Sequence, residues 1–307
     1  MDTQQNYDKS LRDYFYYNFK IRKPDFFLNA KGTFAKQISI IFENLEKIIL
    51  KIKPDKFLVL GDTNSSTAAF IAKRLGVEVF HIEAGNRSFN INSPEEVNRK
   101  LIDHLSDVHM CYSSRSKENL LKEGIHPKNI FVVGNPISEV IFKNIDTIEK
   151  SMILKKLKIS NNEYFLATLH RQENVDDYDN LKNILDGFSR VALNSKKKFF
   201  LIVHPRLKKS INKFKINIKN LILIKPLNFY DFAFAQKNAE CIFTDSGTVQ
   251  EECSIFNKKC IVTRESTERL ETVECSNIIV SGIKSNFIFE SYKLITKISG
   301  VYEPPLD

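Results

Sequence analysis

The 307-residue chain is 42% hydrophobic and 27% charged, the balance of a soluble globular protein long enough for two domains of ordinary size. No apolar stretch approaches the roughly 20 residues of a bilayer crossing, and the polar N-terminal run lacks the basic flank and apolar stretch of a signal peptide, so a cytoplasmic protein without a membrane partner is expected. The formal charge of +9 comes from lysines spread along the chain without the aromatic and basic interleaving of an RNA-binding surface, so no nucleic-acid partner is expected.

In chain order, Ile38, Ile41, Leu45, Ile48 and Ile49 recur at helical spacing. Short apolar runs follow at Phe57–Leu60, Val77–Ile82, Val108–Tyr112 and Ile130–Val133, separated by amphipathic segments. Between the second and third, Ser93-Pro94-Glu95-Glu96 predicts a helix start with Ser93 as N-cap, Pro94 at the first position and Glu96 closing a capping box. Strand signals lapse from about Ile137 to Asn162, the expected hinge between domains at 1–150 and 151–307. Six further runs succeed it: Tyr164–Leu169, Phe199–Val203, Leu221–Ile224, Cys241–Thr244, Cys260–Thr263 and Ile278–Ser281. Runs of this kind suit parallel strands buried on both faces, so the expected fold class is α/β, two Rossmann-like domains facing across a cleft. The first half carries too few strands for a complete doubly wound sheet, and sequence is expected to be missing at both ends. Five cysteines without a CxxC pair fit reduced, buried thiols rather than a zinc site, and no metal or organic cofactor is expected.

Ligands of open parallel sheets bind beyond the carboxyl ends of the strands, so the residues that follow each run are the candidates. They are Asp62 after the first run, Glu83 after the second, His170-Arg171 after Leu169, His204 after Val203, and Asp245-Ser246-Gly247-Thr248 after Thr244. Each has a plainer reading as well. Asp62 equally fits a helix cap, Glu83 a solvated loop carboxylate, His170 a satisfied strand-end histidine, and Glu96 is accounted for by its capping box alone. A strand-end acid at Glu83 beside Arg87 more often serves a ligand. His81, His104, His109 and His126 read as structural. The Asp245–Thr248 turn leads into a helix near Val249 and presents backbone N–H groups at its positive end, a site for phosphate or pyrophosphate, with Glu251 or Glu252 one turn in, towards ribose. Neither GxGxxG nor a Walker motif occurs. Phe229, Tyr230 and Phe232 pack by default, although one of them is placed to stack on a base.

Gly61-Asp62-Thr63, His81-Ile82-Glu83-Ala84-Gly85 and Pro94-Glu95-Glu96-Val97-Asn98-Arg99, then His170-Arg171-Gln172-Glu173-Asn174, Asp245-Ser246-Gly247-Thr248-Val249-Gln250-Glu251-Glu252 and Thr267-Glu268-Arg269, together resemble the non-hydrolysing UDP-N-acetylglucosamine 2-epimerases in order and spacing. Gln5-Asn6-Tyr7-Asp8 and Ile21-Arg22-Lys23-Pro24-Asp25 resemble a capsule and O-antigen branch that includes 2-epimerases forming UDP-N-acetyl-L-fucosamine. The resemblance implies a GT-B-like arrangement, a homodimer, and inversion at C2 of a UDP-linked acetamido sugar by elimination and re-addition of UDP, without a metal. By position it assigns catalytic roles to Asp62, Glu83, Glu95 and His170. Ser246 and Gly247 fall on diphosphate contacts, Glu252 on a ribose contact and Phe232 beside the uracil. Arg99, Arg171, His204 and Arg269 fall on anion or network positions. Two departures stand out. No Gly-Thr-Arg-Pro-Glu loop is present, so the first strand-helix unit is expected to be lacking, and Leu270 stands where proline is common. A GT-B glycosyltransferase and a non-catalytic nucleotide-sugar-binding protein are the competing readings.

Overall fold

The computed structural model describes residues 1–4, 16, 18–91, 93–274 and 277–298. The Gln5–Asp8 motif, Cys275 and the terminal Pro304-Pro305-Leu306-Asp307 lie outside the described residues. Contacts divide the chain into two units, Met1–Val133 and Gly134–Asp307.

The first unit is a parallel sheet with strand order β1-β2-β3-β4, formed by Lys56–Leu60, Glu78–Ile82, Val108–Cys111 and Ile130–Val132. Helix α1 (Phe34–Ile52) precedes the first strand, and α2 (Ala69–Arg74), α3 (Pro94–Leu105) and α4 (Ser114–Lys122) join successive strands. Thr33 caps α1 by accepting the Lys36 N–H, and the helix buries Ile41, Leu45 and Ile49 on one stripe, at the spacing that the sequence announces. That stripe packs with Val59, Val79, Ala72 and Ile102. Cys111, Leu120 and Ile130 extend the same layer under α4. Parallel register places Val59, His81, His109 and Ile130 in one row on this covered face.

The opposite face departs from expectation. Leu58 and Leu60 are 59% and 57% exposed, and Phe131 on β4 is 50% exposed. The first sheet is therefore buried on one face only, the face on which the helices of its described residues pack.

The second unit begins with α5 (Pro136–Lys143), α6 (Ile145–Glu149) and α7 (Ile153–Leu157). This stretch was expected to be a hinge, with the change of domain at 150. Instead Asn135 caps α5 by accepting the Ile137 N–H, and Ile141 and Ile148 bury against Ala233, so residues from Gly134 onward belong to the second unit. The sheet follows with order β10-β9-β8-β5-β6-β7, all parallel: β5 Tyr164–Thr168, β6 Lys198–Ile202, β7 Ile222–Ile224, β8 Cys241–Thr244, β9 Lys259–Val262 and β10 Ile278–Val280. Between them run α8 (Gln172–Val175), α9 (Tyr178–Ser195), α10 (Pro205–Phe214), α11 (Phe229–Asn238), α12 (Gly247–Ile255) and α13 (Leu270–Glu274), with α14 (Ser285–Lys297) last. Apart from its edge strand β7, this sheet is buried on both faces. Phe165, Phe199 and Phe243 pack with Phe188 and Tyr292 on one side, and Tyr164, Leu166, Phe200 and Ile242 form the other layer. The strand order reverses between β5 and β8, which opens a crevice at their carboxyl ends. Among the described residues no helix is long and apolar enough to cross a membrane.

Candidate active site

In the first unit the turn after β1 and the turn after β2 lie against each other. Gly61 donates its N–H to Ile82 O (3.0 Å), and a Cβ at Gly61 would stand 3.3 Å from a carboxylate oxygen of Glu83. Glycine at 61 thus leaves room for that carboxylate beside Asp62. Glu83 itself has φ 71°, a conformation uncommon for a residue with a side chain, and its N–H is fixed to Met110 O at 3.0 Å. Its carboxylate accepts from Asn86 at 3.4 Å.

Helix α3 supplies the counter-charge. Arg99, 3% exposed, bonds Asp62 at 2.6 Å and Glu96 at 2.8 Å. Glu96 does not close the capping box. Its carboxylate accepts instead from the Ser88 N–H and hydroxyl, each at 2.9 Å. Burial would raise the Glu96 carboxyl, but the Ser88 bonds and Arg99 outweigh it and hold it below the usual range. Ser93 makes no side-chain cap to the backbone; its hydroxyl donates to Glu95 at 2.8 Å. Glu95 is half-buried on the first turn of α3, one turn before Arg99. Arg87, expected beside Glu83, turns to Asp103 and Glu123.

In the second unit the β5/β8 crevice gathers the other candidates. Asp245, fully buried, accepts the backbone N–H groups of His170 (3.1 Å) and Arg171 (3.0 Å) and the Asn174 amide (3.1 Å). His170 Nδ1 lies 3.3 Å from the same carboxylate, leaving the ring 45% exposed. Arg171 Nε donates to Asp245 O at 2.9 Å. A pocket of ≈ 180 Å³ opens here, lined by His170, His204, Leu227, Phe232, Ser246 and Val249 among others. The His170 and His204 rings are 6.4 Å apart. Ser246 is the N-cap of α12, accepting the Val249 N–H, so the first amides of that helix lie beside the pocket.

Behind the turn is a buried ionic cluster. A Cβ at Gly247 would meet a Glu268 oxygen at 2.8 Å. Glu268 accepts from Arg264 at 2.8 Å and faces Arg171 at 3.5 Å and Arg269 at 3.9 Å. Burial opposes ionisation there, but the three guanidiniums hold the Glu268 carboxyl far below its ordinary range. Arg269 is paired with Glu251. Glu252 is buried in α12, with Oε2 unpartnered among the described residues, and does not line the pocket; burial, reinforced by Glu251, pushes its carboxyl up to about 8. Phe229 and Tyr230 pack against each other and around Ile141 and Ile148.

Each unit thus brings its own candidates together: Asp62, Glu83 and Arg99 with Glu95 on the same helix, and His170, His204, Phe232, Ser246 and Gly247 around one turn. Four residues that position them, Asp103, Asp245, Arg264 and Glu268, carry no local signal of that role. Asp245 lies inside a recognisable turn, yet its service to His170 and Arg171 depends on adjacency of β5 and β8. Of the histidines read as structural, His81 and His109 are buried with both ring nitrogens bonded.

Residues 1–305 match the family model described as UDP-N-acetylglucosamine 2-epimerase. A UDP-N-acetylglucosamine 2-epimerase of Methanocaldococcus jannaschii is 39% identical over 297 residues, covering 93% of this chain and 81% of the relative. A UDP-2,3-diacetamido-2,3-dideoxy-D-glucuronate 2-epimerase of Pseudomonas aeruginosa is 33% identical, with 94% and 81% covered. The crystal structure of the M. jannaschii UDP-GlcNAc 2-epimerase in complex with UDP-GlcNAc and UDP superimposes with TM-score 0.93 at 36% identity, covering 99% of this chain and 86% of that one.

Proposed function

The chain belongs to the UDP-N-acetylglucosamine 2-epimerase family, and on that premise we propose that it inverts C2 of a UDP-linked 2-acetamido sugar, UDP-GlcNAc to UDP-ManNAc, by elimination and re-addition of UDP. In the forward half a base takes the C2 proton and the C1–O bond to UDP breaks, leaving a 2-acetamidoglycal. In the return half a proton reaches the other face of C2 and a β-phosphate oxygen re-forms the bond at C1. The reading gives the proton transfers to Asp62, Glu83, Glu95 and His170. It gives the diphosphate to Ser246 and Gly247, the ribose to Glu252, the uracil to the face of Phe232, and stabilisation of anionic charge to Arg99, Arg171, His204 and Arg269.

The observation that carries this reading is the pocket at the β5/β8 switch point, apolar at Leu227 and Phe232 and ending on the N-cap Ser246. Such a pocket suits a flat base with an anionic tail, because helix-end N–H groups stabilise charge that grows on the leaving phosphate. Asp62 and Glu83 are half-buried at strand ends, where partial desolvation favours a carboxylate that must remove a weakly acidic proton. Similarity to the P. aeruginosa relative supports a second reading that differs only in the sugar, another UDP-acetamido substrate. The resemblance of Ile21–Asp25 to the capsule and O-antigen branch extends that reading to 6-deoxy sugars of the UDP-N-acetyl-L-fucosamine type. The proposed setting is the cytoplasm and the proposed assembly a homodimer, which sedimentation reads directly.

Incubation with UDP-GlcNAc in deuterated water tests the reaction. Deuterium at C2 together with the manno epimer is expected. Transfer of sugar to an acceptor glycan would instead mark a glycosyltransferase, and binding without exchange a non-catalytic protein. His170→Ala and Glu95→Gln are each expected to lower turnover by about 100-fold; wild-type rates from both would remove those roles.

A further inference from the structure

Asp103, in the last part of α3, is fully buried and spends both carboxylate oxygens on the turn that carries Glu83. One accepts from His81 Nδ1 at 2.7 Å. The other accepts from the Gly85 N–H at 3.2 Å and from Arg87 at 2.7 Å. His81, equally buried, passes the connection on, since its Nε2 lies 3.2 Å from Gly61 O. Gly61 immediately precedes Asp62, and Gly85 follows Glu83 by two residues. One carboxylate therefore reaches the backbone on both sides of the Asp62–Glu83 pair. It is itself anchored, for its backbone carbonyl accepts from His109 at 2.7 Å, and Arg87 is held from behind by Glu123 at 2.7 and 2.6 Å.

We infer that Asp103, with His81 as its relay, is a positioning residue that sets the spacing of the Asp62 and Glu83 carboxylates. Stability alone is a poor reason to keep such a network. Buried ion pairs are often matched or bettered by apolar side chains of the same volume, so what this one supplies is geometry. Glu83 needs it. A side-chain-bearing residue at φ 71° persists only where its surroundings over-determine it, and here Met110 O holds its N–H while Asp103 holds Gly85. Spacing matters because a small misplacement of a catalytic group is enough to cost a large part of the rate. α3 is the common rigid support, offering Arg99 to Asp62 and, four residues later, Asp103 to the Glu83 turn.

This inference rests on the proposed epimerase reading, and the test separates the two. Wild-type protein is first assayed for C2 exchange in deuterated water; its absence speaks against the epimerase reading alone. Asp103→Asn keeps the shape and removes the charge and one acceptor. Its kcat is expected to fall about 30-fold with KM and UDP affinity within twofold of wild type. In a Glu83→Gln background the same change is expected to cost less than threefold, because Asp103 acts through Glu83. Hydrogen exchange of the Gly85 amide is expected to quicken at least tenfold, whether or not the protein turns over. His81→Gln, which leaves α3 and the Asp103–Gly85 bond untouched, is expected to repeat the kinetic pattern should Asp103→Asn fold poorly. Unchanged kcat or full additivity with Glu83→Gln in either variant, or unaltered Gly85 protection in Asp103→Asn, overturns the inference.

Discussion

Glu252 is a carboxyl whose charge the fold tolerates poorly. Its carboxyl is pushed from 4.5 to about 8 by burial, with Glu251 adding repulsion and Gln236 pulling the other way. A raised acid binds its proton more tightly in the folded chain than in the unfolded one. The protein therefore has its full stability below about pH 4.5 as far as this group is concerned, and loses stability progressively as the pH rises towards 8. At about 1.4 kcal/mol for each unit, the loss across that window is on the order of 4 kcal/mol. Glu252→Gln, which cannot ionise, is expected to be more stable than wild type near pH 8 and to flatten the pH dependence between 5 and 8. Urea denaturation of the ligand-free variants measures this, and parallel curves for both proteins would mean that Glu252 is neutralised by another route. Glu268 is its counter-example: equally hidden, but surrounded by Arg264, Arg171 and Arg269, so that its charge is welcome. Both are glutamates close to the same turn, and part of what separates them is local: Glu252 follows Glu251, whereas Glu268 precedes Arg269 and stands four residues after Arg264. The rest lies in packing and in Arg171, brought from far along the chain, which makes residue-level chemistry the least legible part of the site.

Helix α12 carries the next argument. Its start was legible, because a small polar turn after an apolar run is a helix N-terminus on local grounds. The reason Gly247 must be glycine was not, because the obstruction comes from Glu268, held by Arg264 across the turn. A Cβ at 247 would stand 2.8 Å from one carboxylate oxygen of Glu268, whose other oxygen is bound by Arg264 and leaves the group little room to yield. Gly247→Ala is therefore expected to destabilise the protein by about 1–3 kcal/mol, in the range of a crowded core, and to weaken UDP binding at least tenfold by tilting the helix-end amides. Denaturation midpoints and calorimetric titration with UDP check the two effects; wild-type values in both would show that Glu268 swings aside. Helix α3 teaches the converse lesson. Ser93-Pro94 marks its start correctly, yet the capping box inferred from Glu96 does not form, since Ser88 and Arg99 compete for that carboxylate and win. Short-range motifs locate an element; long-range partners decide what its charges do.

On the scale of the whole molecule, the ten strands of the described residues sit where apolar runs of four to six residues place them, because strands in parallel sheets are read by burial more than by alternation. The change of unit at Val133/Gly134 was not legible, since Ile141 and Ile148 declare their allegiance only by packing on Ala233. Nor was the open face of the first sheet, where register aligns Leu60, Ile82, Met110 and Phe131 in one row. Buried and exposed strands carry the same apolar letters when a layer is uncovered. A contiguous apolar face favours self-association, while the formal charge of +9 opposes it by repulsion between molecules. Repulsion is screened by salt and apolar attraction is not: the screening length drops from about 30 Å at 0.01 M to about 3 Å at 1 M. Species larger than the proposed homodimer are therefore expected to grow as salt rises over that range. Leu58→Thr with Phe131→Thr keeps strand-compatible side chains on exposed positions, so stability should change by no more than about 0.5 kcal/mol at each. Light scattering against ionic strength is expected to rise for wild type and stay level for the double variant. An equal rise in both would place the sticky surface elsewhere and leave the open face of the first sheet inert.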